Sequence, residues 1–415
     1  MGMFRLCLCF FLSFTHLVYS AGCYLDLESA WQRLLQYSPQ IGIADQEIYA
    51  LNGEKRQVSL LPNPIATIEG NNLGVHHVRH DDDDDEVEPP ETIFALTQLL
   101  ELGGKRLARR NFAASLETIA LLEAQIVRRD LRLALVTAFI DVSAAQEKLR
   151  LTTEREQVAS EILCAYRAQI EGGKFSPIQE RKAHVALVEA RICTTEISTA
   201  LDQAKKRLTS LWGGTCFDFD GVDFPLLDCM PPPSCVGAIE GFSLTPDYAK
   251  AQACILSAQE NLKLQKSNSV PDVALTAGYK VFHDSGHHGW IVGAEFPLPF
   301  FDRNQGNIQK ACAELSQAEY QMQGVVRDLK EQILITYEKW KAAFEESELI
   351  QKGALTEAQE IFELVQTGYH NGKLDYLELL EAHNLLISIQ EKYVDTLHDC
   401  HLSQAEFKRL TGEIL

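Results

Sequence analysis

Beyond its N-terminal segment the sequence has no apolar run of about 18 residues, so it holds no candidate transmembrane helix. Such a chain crosses lipid only as part of a closed β-barrel, because every backbone N–H and C=O must find a partner there. Basic residues are outnumbered, 38 Lys and Arg against 58 Asp and Glu, for a formal charge of −20. That balance argues against a nucleic-acid binder, which neutralises phosphates with clustered Lys and Arg; it is compatible with a duct for cations or with plain solubility. There is no Cys-x-x-Cys pair, which argues against a thiolate zinc site. No nucleophile motif gathers Ser, His and Asp, and Gly103-Gly104-Lys105 lacks the spaced glycine and the following Ser or Thr of a phosphate loop. The sequence therefore reads as a non-enzyme that needs no cofactor. With only 14 prolines, 46% hydrophobic and 23% charged residues, it is expected to be folded and mostly helical.

At the N-terminus, Arg5 precedes an apolar stretch from Leu6 to Val18, the pattern of a signal peptide over residues 1–22. Ser20-Ala21-Gly22-Cys23 fits two routes: ordinary cleavage near Ser20 or Ala21, or lipoprotein processing that leaves Cys23 lipidated, although Ser20 stands where a lipobox has Leu. Of the 11 cysteines, Cys216, Cys229 and Cys235 share one Pro-rich stretch, where an oxidising compartment would allow a disulfide between two of them. Cys164, Cys193, Cys254, Cys312 and Cys400 lie singly on expected helices and read as buried free thiols.

An internal repeat organises the rest. Ser38-Pro39 leads through a helical stretch to Leu61-Pro62-Asn63-Pro64, and Thr245-Pro246 leads at the same separation to Val270-Pro271-Asp272. Gly173-Lys174 and Leu211-Trp212-Gly213 correspond, at one common offset, to Gly372-Lys373 and Leu410-Thr411-Gly412. The expected division is a first repeat over 23–213, a linker over 214–242 in which Pro231-Pro232-Pro233 forbids a helix, and a second repeat over 243–415.

Each repeat predicts two strands and two long helices. From Lys105 to Glu171 there is neither Gly nor Pro, and a continuous helix of that span is roughly 100 Å long. Helices are expected at about 105–171 and 177–211, then at about 307–368 and 374–411, each pair turning at a Gly-Lys site into an antiparallel hairpin. Leu131, Leu135, Phe139 and Val142 mark the stripe buried by the first helix; Leu329, Ile333, Thr336, Tyr337 and Trp340 mark that of its counterpart. Gly324 and Gly353 interrupt the counterpart without needing to break it.

Strands are expected at about 64–73, 92–102, 273–282 and 290–299. In the last pair Val273, Leu275, Ala277, Tyr279 and Val281, and then Trp290, Val292, Ala294, Phe296 and Leu298, alternate with a face that carries Lys280 and Glu295. This is the two-faced pattern of membrane-barrel strands. Two strand pairs cannot close a barrel around a passage, so several copies must share one.

These features resemble the TolC-type outer-membrane efflux protein family over essentially the whole mature chain. The resemblance is carried by Leu61-Pro-Asn-Pro64, Gln98-Leu-Leu-Glu-Leu-Gly-Gly-Lys-Arg106, Gly173-Lys-Phe-Ser-Pro177, Pro297-Leu-Pro-Phe-Phe-Asp-Arg-Asn-Gln-Gly306 and Tyr369-His-Asn-Gly-Lys373. The Leu-Gly-Gly-Lys-Arg and Pro-Leu-Pro-Phe-Phe-Asp-Arg-Asn-Gln-Gly forms are similar to the heavy-metal cation branch, the CzcC-like and CusC-like channels. The implied fold is mainly α with a small β part, two repeats of helical hairpins contributing strands to a shared trimeric transmembrane barrel. The implied location is the outer membrane, extending into the periplasm. The implied partners are two further copies, a periplasmic adaptor (membrane fusion protein) and an inner-membrane pump of the resistance-nodulation-division type, which supplies the energy.

Carried over by residue, Tyr369 and Gly372 match the tyrosine and glycine of the family's inner hairpin near its closed end. Glu378 and Glu381 fall where TolC has two pore-lining aspartates; around a three-fold axis they would stack as acidic rings that favour cations. An ordinary solvated helix face is the other reading of both. Leu374 stands where TolC has a gate arginine, so closure here must rest on other contacts. Gly173, Lys174, Phe175, Ser176 and Lys373 are candidates for adaptor contact, or form simple helix-ending turns.

Between the first two strands lie His76, His77 and His80, then Asp81 to Asp85; between the last two lie His283, Asp284, His287 and His288. Imidazoles with carboxylates suit zinc, copper or nickel, and a solvated charge run is the alternative. The same family also admits an exit duct for drugs or type I secreted polypeptides as a reading. A periplasmic adaptor or a coiled-coil scaffold is the rival of another class, but an adaptor has one hairpin flanked by a lipoyl-like β domain, and this sequence has two.

Overall fold

The computed structural model describes residues 24–73, 90–171, 177–233, 239–371 and 373–413. The signal segment with Cys23, the first hairpin loop with His76, His77 and His80, and the turn residues Gly173, Lys174, Phe175, Ser176 and Gly372 lie outside them. Helices are α1 (Leu27–Tyr37), α2 (Pro39–Val58), α3 (Lys105–Glu171), α4 (Pro177–Ser210), α5 (Pro246–Asn268), α6 (Gln305–Leu349), α7 (Thr356–His370) and α8 (Tyr376–Thr411). Strands are β1 (Tyr24–Leu25), β2 (Ile65–Asn71), β3 (Glu91–Leu100), β4 (Gly221–Val222), β5 (Val273–Phe282) and β6 (His288–Glu295). Among the described residues no helix is long and apolar enough to cross a membrane.

The repeat is visible in how helices begin. Both α2 and α5 start on proline, whose fixed φ suits the first helical position and whose missing N–H costs nothing there. Ser38 and Thr245 precede them with extended backbones, and the Thr245 hydroxyl accepts the N–H of Tyr248 at 3.4 Å.

The chain forms two compact units. One comprises Ser38–Ala134, Met230–Glu345 and Asp399–Leu415. Its sheet is four-stranded and antiparallel, in the order β2-β3-β5-β6, so β2 and β6 are both open edges among the described residues. The register sets Ile68, Phe94, Tyr279 and Trp290 on one face and Glu69, Ile93 and Lys280 on the other. Among the described residues nothing covers the apolar face: Ile68 is 75%, Trp290 83% and Val292 87% exposed. Across the polar face Lys280 pairs with Glu91, which also accepts from Asn71, and the hydroxyls of Thr97 and Thr276 meet at 2.9 Å. β6 ends at Glu295, short of the expected 299, because Pro297 and Pro299 have no N–H for a ladder.

Where β3 turns into α3, Gly103 and Gly104 adopt φ of 70° and 71°. A Cβ on Gly103 would lie 2.7 Å from Val270 Cβ, so only glycine lets the two repeats' turns touch. Lys105 is buried and its Nζ lies 2.7 Å from Asp272 Oδ1, which also accepts the Leu102 N–H. Arg109 grips Glu101 through both terminal nitrogens. The Leu-Gly-Gly-Lys-Arg segment is thus a sharp strand-to-helix corner tied to the Val-Pro-Asp turn. At the corner into α6 Asn304 takes the positive φ, 60°, and its side-chain amide donates to the Gln265 carbonyl at 2.8 Å. The core of this unit includes Leu329, Ile333 and Trp340 of α6, with Trp340 5.4 Å from Phe407 of α8.

The other unit comprises Met1–Tyr37, Leu135–Cys229 and Glu346–His398. β1 pairs in parallel with β4, whose Val222 N–H donates to the Gln146 side chain of α3 at 2.8 Å. Arg33 holds Asp218 at 2.9 Å. A cluster of Ala159, Ile162, Leu163, Tyr166, Leu187 and Leu380 draws on α3, α4 and α8. Between α6 and α7 the residues Ile350–Leu355 form a π-helical turn that contains Gly353, whereas Gly324 passes within α6.

The cysteines correct one expectation. Cys164 and Cys312 are exposed, and Cys193 and Cys254 only half-buried, because each lies beside rather than on the buried stripe of its helix. Cys400 is fully buried, yet it is disulfide-bonded, as is Cys229, while Cys216 is free.

Candidate functional site

The positions singled out near Tyr369 gather in the second of these units, at the turn from α7 to α8. The turn is built tightly. Gly368 accepts the Lys373 N–H at 2.9 Å, and a Cβ on Gly368 would come within 2.6 Å of Leu374 Cδ1. Leu374 therefore lies in the space a side chain would fill, an apolar contact within the turn itself. Lys373 is exposed and is held here through its backbone.

α8 starts with a reciprocal cap. Asp375 Oδ1 accepts the N–H groups of Leu377 at 2.8 Å and of Glu378 at 3.1 Å, and Glu378 Oε2 accepts the Asp375 N–H at 3.1 Å. This arrangement satisfies otherwise orphan donors at the helix start and places a carboxylate at the positive end of the dipole. Glu378 and Glu381 are both exposed on α8, one turn apart. Glu378 is a capping residue whatever else it does.

Three aromatic rings fix the corner. The Tyr369 ring of α7 lies 4.4 Å from that of Tyr376, which lies 5.1 Å from Tyr166 of α3. Burial pushes the Tyr166 phenol up to about 12, with the Asp375 carboxylate adding to it. Burial likewise pushes Tyr369 up to about 12, helped by its hydrogen bond with Tyr376. Both rings are neutral at physiological pH and act by packing.

Further along α8 lies His383, 2% exposed, its ring 5.4 Å from Phe362 of α7. It was not singled out from the sequence, although the signal existed: Tyr376, Leu380, His383, Ile387, Val394 and Leu397 fall on a stripe of alternating four- and three-residue steps. Nor was Tyr166, which carries no local mark. The Asp-x-x-Glu spacing at 375–378 was readable as a cap.

The remaining histidine candidates are not brought together. His283 Nε2 is 2.8 Å from the Thr92 hydroxyl, His288 stacks on Tyr279 at 5.4 Å, and His287 is exposed. Among the described residues no group of three or more His, Cys, Asp or Glu is placed to hold a metal ion.

A family model described as "Outer membrane efflux protein" matches residues 67–214 and 243–413. The chain is 26% identical over 392 residues to the cobalt-zinc-cadmium resistance protein CzcC of Cupriavidus metallidurans, covering 94% of this chain and 90% of that one. It is 28% identical over 244 residues to the nickel-cobalt-cadmium resistance protein NccC of Alcaligenes xylosoxydans xylosoxydans, covering 57% and 53%. Its fold is that of the solved structure of CusC, with a TM-score of 0.77 at 15% identity over 96% of each chain.

Proposed function

Since the chain belongs to the outer membrane efflux protein family, we propose that it is the trimeric exit channel of a tripartite efflux system and that its cargo is heavy-metal cations. The observation that carries the channel reading is the sheet. It has two open edges and an uncovered apolar face, and in lipid both edges must be paired. Neighbouring copies that join β6 to β2 supply those partners and put the Lys280–Glu91 face on the inside. The cargo reading is supported by the metals named for CzcC and NccC and by the acidic balance of the chain.

In this reading Glu378 and Glu381 line the pore, and Tyr369, Gly372 and Leu374 belong to its constricted end. Gly173, Lys174, Phe175, Ser176 and Lys373 meet a periplasmic adaptor that joins the channel to an inner-membrane pump. Cys23 is the lipid-bearing residue if the leader is processed as a lipoprotein. Purified protein is expected to run as a trimer in detergent and to pass ions in planar bilayers. A water-soluble monomer without conductance overturns the channel reading. A deletion strain with unchanged tolerance of cobalt, zinc, cadmium and nickel, but raised sensitivity to organic toxicants, overturns the cargo reading in favour of a drug duct.

A further inference from the structure

His383 occupies a place that the pattern of α8 reserves for an apolar side chain. Along the same stripe Leu380 is 5%, Ile387 0%, Val394 2% and Leu397 1% exposed, and His383, at 2%, is as buried as they are. Its ring has little to hold it by polar contact. Among the described residues Nδ1 has no hydrogen-bond partner, and Nε2 lies 3.9 Å from Glu154 Oε1 on α3, beyond hydrogen-bond range. The imidazole is therefore seated by shape, against Phe362 of α7 and the face of α3.

Among the described residues two charged groups act on the ring, both on α3. Glu154 is half-exposed and shared with Arg150 at 3.3 Å. Arg155 is committed to Glu391 of α8 at 3.1 Å. α7 contributes the uncharged Phe362. A proton added to the ring meets one distant, solvent-screened carboxylate and one neighbouring guanidinium, in a site that has excluded water.

We propose that His383 is a proton-binding site built into the seam between α3 and α8, and that its protonation loosens that seam and frees the start of α8. A neutral imidazole packs as a ring of medium size, whereas the imidazolium must turn toward Glu154 and water, which pulls it from the stripe between Leu380 and Ile387. Burial holds the His383 pKa below the ordinary histidine value, Arg155 pushes the same way and Glu154 opposes. For a group depressed in this manner the packed state is fully favoured above about pH 6.5 and loses ground as pH falls below it. The Tyr376 contacts lie two turns away on the same stripe, so a seam that opens at His383 unseats the aromatic corner. The consequence for conduction rests on the channel reading; the seam itself does not.

The test is hydrogen exchange on the full chain in detergent, corrected for intrinsic rates, at about pH 7.5 and about pH 5.5. Wild-type amides over residues 377–390 are expected to lose protection several-fold in acid. In His383→Leu and, should that variant fail to assemble, in His383→Gln, the acid-dependent loss is expected to vanish, while it persists in His398→Gln, where the ring pairs with Asp141. A loss of equal size in the His383 variants, or none in the wild type, overturns the proposal. A seam that responds in a chain that conducts no ions overturns the channel reading alone.

Discussion

The Glu378 carboxylate accepts the Asp375 N–H at 3.1 Å while the Asp375 carboxylate accepts the N–H of Glu378 at the same distance. A residue proposed to set ion preference is therefore also part of the first turn of its helix, and the two roles respond to different substitutions.

Glu378→Gln with Glu381→Gln removes the charges and keeps an acceptor for the Asp375 N–H. This double variant is expected to melt like the wild type but to show a lower cation preference in bilayer reversal potentials. Asp375→Ala is expected to cost about 1 kcal/mol of helix stability, the usual worth of an N-cap, and to leave the preference near normal. Unchanged reversal potentials in the double variant count against a pore-lining role.

Gly103→Ala combines a strained φ with a Cβ pressed on Val270, and Gly104→Ala carries the strain alone, with nothing within 4 Å. The first is expected to destabilise by more than about 1–3 kcal/mol and the second by about 1 kcal/mol. Thermal melts of the detergent-solubilised protein order the two; equal losses contradict the contact with Val270.

Lys105 is 9% and Asp272 23% exposed at the side chain, and the pair joins the corners of the two repeats. Lys105→Met strands a largely buried carboxylate and is expected to cost about 3–5 kcal/mol, whereas the double change Lys105→Met with Asp272→Leu is expected to cost less than the single. A double-mutant cycle in denaturant or heat measures it, and strict additivity would argue against a coupled pair.

The two phenols pushed up to about 12 yield an alkaline prediction. Their folded pKa is raised, so their contribution is fully present below about pH 10 and is lost as pH climbs through the folded value. Wild-type protein is expected to weaken above about pH 10 more steeply than Tyr166→Phe or Tyr369→Phe, as followed by melting across an alkaline series. Parallel curves for all three would exclude these tyrosines as the source.

Much of the fold is legible locally. The lack of Gly and Pro after Gly104 leaves α3 nothing to stop it before Glu171, and the alternation of Tyr279, Trp290 and Val292 against Lys280 names the two faces of a strand pair without any knowledge of its neighbours. The turn at 368–376 carried a readable cap at Asp375 and Glu378, but its apolar latch did not show, because Leu374 matters only once the chain folds it onto Gly368.

What the residues determined by themselves is therefore what depends on short spacing: mainly helical hairpins, a small two-faced sheet, a duplicated plan and strands too few to close a barrel. What only the tertiary structure decided is what depends on partners far along the chain. Cys400 looked like an isolated helical thiol and is disulfide-bonded. Tyr166 became the floor of an aromatic corner through Tyr376, and His383 became a buried, unsatisfied base because α3 and α7 close over it. Periodicity states which side of a helix turns inward; it does not state what that side meets, and desolvation, pairing and protonation are all set by what it meets.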